Sequence, residues 1–130
     1  MDVFNTHGAF SWNELMTTDP DAARDFYTQL FGWGSKAMDT PKGTYTTLQV
    51  GDASIAGIMK IPADAKGVPP NWGCYVTVND VDATCARVKQ LGGKIITPVM
   101  EIPTVGRMAV IQDPQGAVVA VITYTMPAAT

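Results

Sequence analysis

Residues 17–33 read TTDPDAARDFYTQLFGW, and residues 77–93 read TVNDVDATCARVKQLGG. An offset of 61 carries Asp19 to Asp80, Asp21 to Asp82, Ala22 to Ala83, Leu30 to Leu91 and Gly32 to Gly93, and it also carries Asp52 to Asp113. Most of these matches fall where a helix starts and stops, so the chain reads as one module written twice. In the first copy Asp19 is placed to cap a helix that takes Pro20 into its first turn. Ala22, Ala23, Phe26, Tyr27 and Leu30 then recur on one face until Gly32 ends it. Asp80, Val81, Cys85, Val88, Leu91 and Gly92 repeat the plan.

Working outward, a strand-like stretch precedes each helix, at residues 9–16 and 73–78. Further strands are predicted at 44–50 and 54–61 in the first copy, and at 94–97, 107–112 and 117–124 in the second. Asp113-Pro114-Gln115-Gly116 has the chemistry of a hairpin turn. The expectation is an α+β fold of two tandem βαβββ modules within one domain, residues 1–130. Module one is placed at about 8–61, module two at about 72–124, and a Pro-, Ala- and Gly-rich linker at about 62–71.

Composition narrows the chemistry. With 46% apolar and 16% charged residues, the chain has material for a real core. One histidine, His7, and two cysteines, Cys74 and Cys85, cannot build a His- and Cys-rich zinc site or a disulfide scaffold. A net charge of −3 with scattered basic residues argues against a nucleic-acid partner. No apolar run approaches a membrane span, and the first ten residues lack the features of a signal peptide, so a cytoplasmic protein is expected.

The segments DPDAARDFYTQLFGW and NDVDATCARVKQLGGKI, followed by IQDPQGAVVAVI, resemble the vicinal oxygen chelate superfamily of glyoxalase I, bleomycin-resistance proteins and extradiol dioxygenases. They are most similar to bacterial glyoxalase-like proteins related to lactoylglutathione lyase. The resemblance implies that the curved sheets of the two modules form a cavity, often at the interface of a homodimer, which usually holds a divalent metal. The family's ligand posts, carried over without gaps, fall on Trp12, Met59, Gly73 and Ala120. None of these is a ligand for a hard divalent ion, so no metal and no other cofactor is expected.

Strand alternation puts Glu14 on the face of Trp12, and Tyr75 on the face of Gly73. Glu14 and Tyr75 are the candidate catalytic residues. Trp12, Glu14, Met59, Trp72, Tyr75 and Arg107 are the candidate lining of a ligand cavity. Glu14, desolvated beside Trp12, could act as a general base or anchor a cation; Tyr75 could polarise a bound oxygen. Arg107 could clamp an anion or pair with Glu101.

Two functions are compatible with these residues. One is a bleomycin-resistance-like homodimer that binds a small planar or cationic molecule without the usual metal. The other is a glyoxalase-like lyase, isomerase or dioxygenase-type enzyme, using shifted metal ligands or acid–base chemistry at Glu14 and Tyr75. Lactoylglutathione lyase chemistry itself is disfavoured, because it polarises an enediolate on a metal these posts do not hold. Neither a nucleic acid nor a membrane is expected as a partner.

Overall fold

A computed structural model describes residues 1–41, 43–65 and 67–125. The element order is β1 (Phe10–Thr17), α1 (Pro20–Phe31), β2 (Gly34–Thr40), β3 (Gly43–Val50), β4 (Ala53–Lys60), β5 (Asn71–Thr77), α2 (Val81–Gln90), β6 (Lys94–Ile102), β7 (Gly106–Gln112) and β8 (Val118–Tyr124). This is βαβββ twice, an α+β fold. The chain forms two compact units, one of residues Trp12–Gly73 and one of Met1–Ser11 with the chain from Cys74 onward.

The two helices start by the same device. Asp19 Oδ1 accepts from the Ala22 amide, and Asp80 Oδ1 accepts from the Ala83 amide, each at 3.1 Å. Each bond satisfies one of the amides that the first turn of a helix leaves without a partner. Gly32 ends α1 in the left-handed region at φ 73°, where a side chain would be strained.

In the first unit the strand order is β2-β3-β4-β1, with β1 and β4 parallel and the other pairs antiparallel. Leu15, Leu48, Ala56 and Ile58 form its core, and Ala23, Tyr27 and Trp33 pack against them. The apolar face of α1 is only partly used: Phe26, Leu30 and Phe31 are exposed. In the second unit the order is β5-β8-β7-β6, with β5 and β8 parallel. Val78, Val81, Cys85, Ala109 and Val121 form the core under α2. The N-terminal segment joins this unit, since the Gly8 amide donates to Thr77 O and the Thr77 amide donates to Ala9 O.

Two strands differ from the sequence reading. β2 was implied by the βαβββ plan but given no residues, because GSKAMDT has no alternation and all but its last residue is exposed. β6 runs on past residue 97 to Ile102, through Pro98. As the last strand in its order, β6 can hold a proline without losing an inner ladder bond, and its register slips twice along β7.

Those slips change the internal alignment. The helices keep the offset of 61, but two bulges in β6 and a longer turn into β7 add residues to the second copy. Glu14 stands beside Gly57 on β4, whereas Tyr75 stands beside Ala120 on β8. The counterpart of Ala120 is therefore Gly57 and not Met59, which lies beside Met16. The match of Asp52 with Asp113 is likewise not a structural one.

Candidate functional site

Strand alternation in the first unit sends Leu15, Leu48, Ala56 and Ile58 toward α1, and their neighbours to the opposite face. Trp12 and Glu14 on β1, Tyr45 and Thr47 on β3, and Gly57 and Met59 on β4 share that second face. There the indole Nε1–H of Trp12 donates to the Tyr45 hydroxyl at 2.9 Å, and that hydroxyl donates to Glu14 Oε2 at 2.9 Å.

The direction of this chain is fixed by chemistry. An indole nitrogen can only donate, so the Tyr45 oxygen accepts from it, and the one phenolic proton goes to the carboxylate. Glu14 is buried, 8% exposed, yet its oxygen meets a donor. Glu14 is thereby held as an acceptor, the form suited to a cation or an N–H group. Sequence reasoning placed Trp12 and Glu14 on one face but did not single out Tyr45. Its signal was weak, because the stretch TYTTLQV offers no reason to single out one tyrosine until β3 is known to lie two strands from β1.

Trp72 lies elsewhere. Its Nε1–H donates to the Tyr27 hydroxyl at 3.2 Å, and its ring meets Tyr27 and Trp33 edge-on. These rings belong to the α1 side of the unit, so Trp72 does not share a face with Glu14, contrary to its expected place in the cavity lining. The physical reason is parity: Trp72 is one residue from Gly73 and so points the other way.

In the second unit, Tyr75 and Ala120 are buried neighbours on the face turned away from α2. The Tyr75 hydroxyl donates to Met108 Sδ at 3.8 Å, a weak acceptor. Arg107, one residue from Met108, points to the other face. Its guanidinium makes bonds of 2.8 and 3.0 Å to both carboxylate oxygens of Asp82 on α2, and one of 2.6 Å to Glu101. These two partners, Glu101 first, push the Arg107 pKa up. Arg107 thus takes the ion-pair role and does not line the Tyr75 face. Cys85 is buried and Cys74 exposed, both as free thiols. His7 is tied in place, its Nδ1 accepting from the Asn79 amide at 2.9 Å.

The sequence pattern of the glyoxalase/bleomycin resistance protein/dioxygenase superfamily matches residues 9–121. The chain belongs to this superfamily. The protein CFP32 of Mycobacterium tuberculosis is 42% identical over 121 residues, which cover 92% of this chain and 46% of CFP32. The anthracycline biosynthesis protein DauV of Streptomyces sp. (strain C5) is 36% identical over 127 residues, covering 88% of this chain and 46% of DauV. The chain thus spans about half the length of these curated relatives.

Among solved structures, methylmalonyl-CoA epimerase from Mycobacterium tuberculosis superposes with a TM-score of 0.63 at 19% identity, covering 88% of this chain and 86% of the epimerase. A variant of the Streptomyces coelicolor epimerase, in complex with 2-nitronate-propionyl-CoA, gives 0.68 at 14% identity, covering 92% of this chain and 99% of that one. At such identities the likeness shows the superfamily fold alone.

The superfamily implies a divalent metal, and the residues present do not fit one. Trp12, Gly73 and Ala120 carry no side-chain acceptor, and the post on β4 offers Gly57 by strand register or the soft thioether of Met59 by sequence offset. The carboxylate on this face of β1, Glu14, would supply one hard ligand where a divalent ion needs several. Among the described residues, no three His, Cys, Asp or Glu side chains gather as a metal site. Nor is any described helix long and apolar enough to cross a membrane.

Proposed function

We propose that this superfamily member binds a small, flat molecule bearing a cationic or N–H donor group on the face of Trp12, Tyr45 and Glu14, without a divalent metal. The observation that carries the reading is the directed chain from Trp12 through Tyr45 to Glu14, which presents a buried carboxylate as an acceptor beside two aromatic rings. An indole ring offers a stacking surface to a flat ligand and a favourable face to a cation. DauV, by its name an anthracycline biosynthesis protein, agrees with a flat polycyclic ligand class, since an anthracycline ring system is flat. The working form in this reading is a cytoplasmic homodimer, with the exposed Phe26, Leu30 and Phe31 as apolar surface available for contacts.

A panel of flat aromatic amines and their neutral analogues, screened by thermal shift on wild type and Glu14→Gln, tests the site. At a free concentration of 100 Kd a ligand stabilises by about 2.7 kcal/mol. The amines raise the wild-type melting temperature, and the Glu14→Gln protein loses that response. Metal content of the purified protein tests the second half: stoichiometric Ni, Zn, Fe or Mn whose removal by chelator destabilises the fold overturns the metal-independent reading. Sedimentation as a strict monomer at micromolar concentration contradicts the dimer.

A further inference from the structure

Gly57 sits in the interior of β4 and is buried, flanked by the core residues Ala56 and Ile58. A glycine inside a strand is unfavourable unless something needs the space. Its backbone does not require it, because the glycines with positive φ are Gly8, Gly32, Gly43, Gly51, Gly67, Gly92, Gly106 and Gly116, and Gly57 is not among them. Space does. A Cβ built on Gly57 would overlap the Tyr45 hydroxyl and ring, and the three nearest atoms it would meet all belong to Tyr45. Gly57 also stands directly beside Glu14 across the β1–β4 pair. The Tyr45 ring therefore lies over the bare backbone of Gly57 to reach the carboxylate.

The second module supplies the contrast. Tyr75 is the counterpart of Glu14, Ala120 of Gly57 and Met108 of Tyr45. Where alanine replaces glycine, the strand-two-away position holds a methionine, and the hydroxyl on the first strand bonds its sulfur.

We infer that Gly57 is a positioning residue for Glu14: by lacking a side chain it admits Tyr45 over β4, and Tyr45 in turn fixes the carboxylate as an acceptor. The functional importance of this arrangement rests on the proposed ligand site. The geometry itself is tested without ligand. Two NMR signals of the free protein read it, namely the Trp12 indole N–H resonance and the pH titration of the Glu14 carboxyl carbon.

Tyr45→Phe removes the acceptor of the indole and the donor to the carboxylate. The Trp12 resonance moves, and Glu14 titrates at higher pH than in wild type. Gly57→Ala moves both signals in the same directions, and Gly57→Ala combined with Tyr45→Ala adds nothing to Tyr45→Ala alone. Wild-type signals in Gly57→Ala, or additive effects in the double variant, overturn the inference. Should Gly57→Ala fail to fold, adding Tyr45→Ala restores folding, because the ring is what the new Cβ meets; failure of that rescue also overturns it. Loss of the amine response in the thermal-shift screen with these NMR couplings intact would refute the ligand site and leave the positioning role standing.

Discussion

Two tyrosines, one in each unit, allow the loss of the same atom to be weighed in different surroundings. Tyr45→Phe and Tyr75→Phe each delete a single hydroxyl oxygen, yet the partners differ. The Tyr45 hydroxyl donates to a buried carboxylate and accepts from Trp12. The Tyr75 hydroxyl donates to a thioether at 3.8 Å. A hydrogen bond to a charged group contributes about 1.5–3 kcal/mol, and a neutral one about 0.5–1.5 kcal/mol. Trp12 is only partly buried, so water can replace much of what its N–H loses. Glu14, at 8% exposure, is much less open to water.

The expected loss for Tyr45→Phe is therefore about 2 kcal/mol at neutral pH, dominated by the carboxylate bond. In Tyr75→Phe the lost bond to sulfur accounts for under about 1 kcal/mol, because sulfur is a weak acceptor. With an unfolding entropy near 2.1 cal/mol/K per residue, 2 kcal/mol in this chain of 130 residues lowers the melting temperature by about 7 °C. Urea unfolding followed by tryptophan fluorescence measures both variants, and an unchanged m-value keeps the comparison valid. A loss for Tyr45→Phe under about 1 kcal/mol would refute the view that Tyr45 is set against a charge.

Two further predictions concern the framework. Asp19→Ala and Asp80→Ala each remove a helix cap and cost about 1 kcal/mol, whereas asparagine at either position retains most of it; denaturation midpoints check this, and a silent alanine at both sites contradicts the capping argument. Burial, helped by Asp82, pushes the Cys85 thiol pKa up. The folded protein therefore holds that proton to higher pH than the unfolded chain does. The contribution is complete below the ordinary thiol value and is lost as pH rises through the folded one. Wild type accordingly loses stability more steeply with alkaline pH than Cys85→Ala, and a thiol reagent labels the native protein at Cys74 before Cys85; parallel pH profiles and equal labelling would count against it.

Much of the molecule was written in short-range chemistry. Asp19 and Asp80 cap the helices they were expected to cap, and Gly32 closes α1. The duplicated pattern led to the superfamily fold. The residues of β2 went unassigned because an exposed strand gains little from burying one face and so shows no alternation. Trp72 was misplaced for a different reason. Aromatic character suggests a cavity wall, but strand parity had already sent its side chain to the α1 side. Arg107 had two candidate roles in the sequence, and Asp82 decided between them from another element of the same unit.

By itself, the sequence determined where helices begin and end, which strand residues share a face, and that Trp12, Gly73 and Ala120 offer no side-chain acceptor to a hard ion. These depend on periodicity and on donor chemistry, and both are local. Only the tertiary structure decided that Tyr45 reaches Glu14 over Gly57 and that Gly57, rather than Met59, answers to Ala120. Register between strands is set by bulges and turn lengths summed along the chain, so one added residue in β6 moves every partner beyond it.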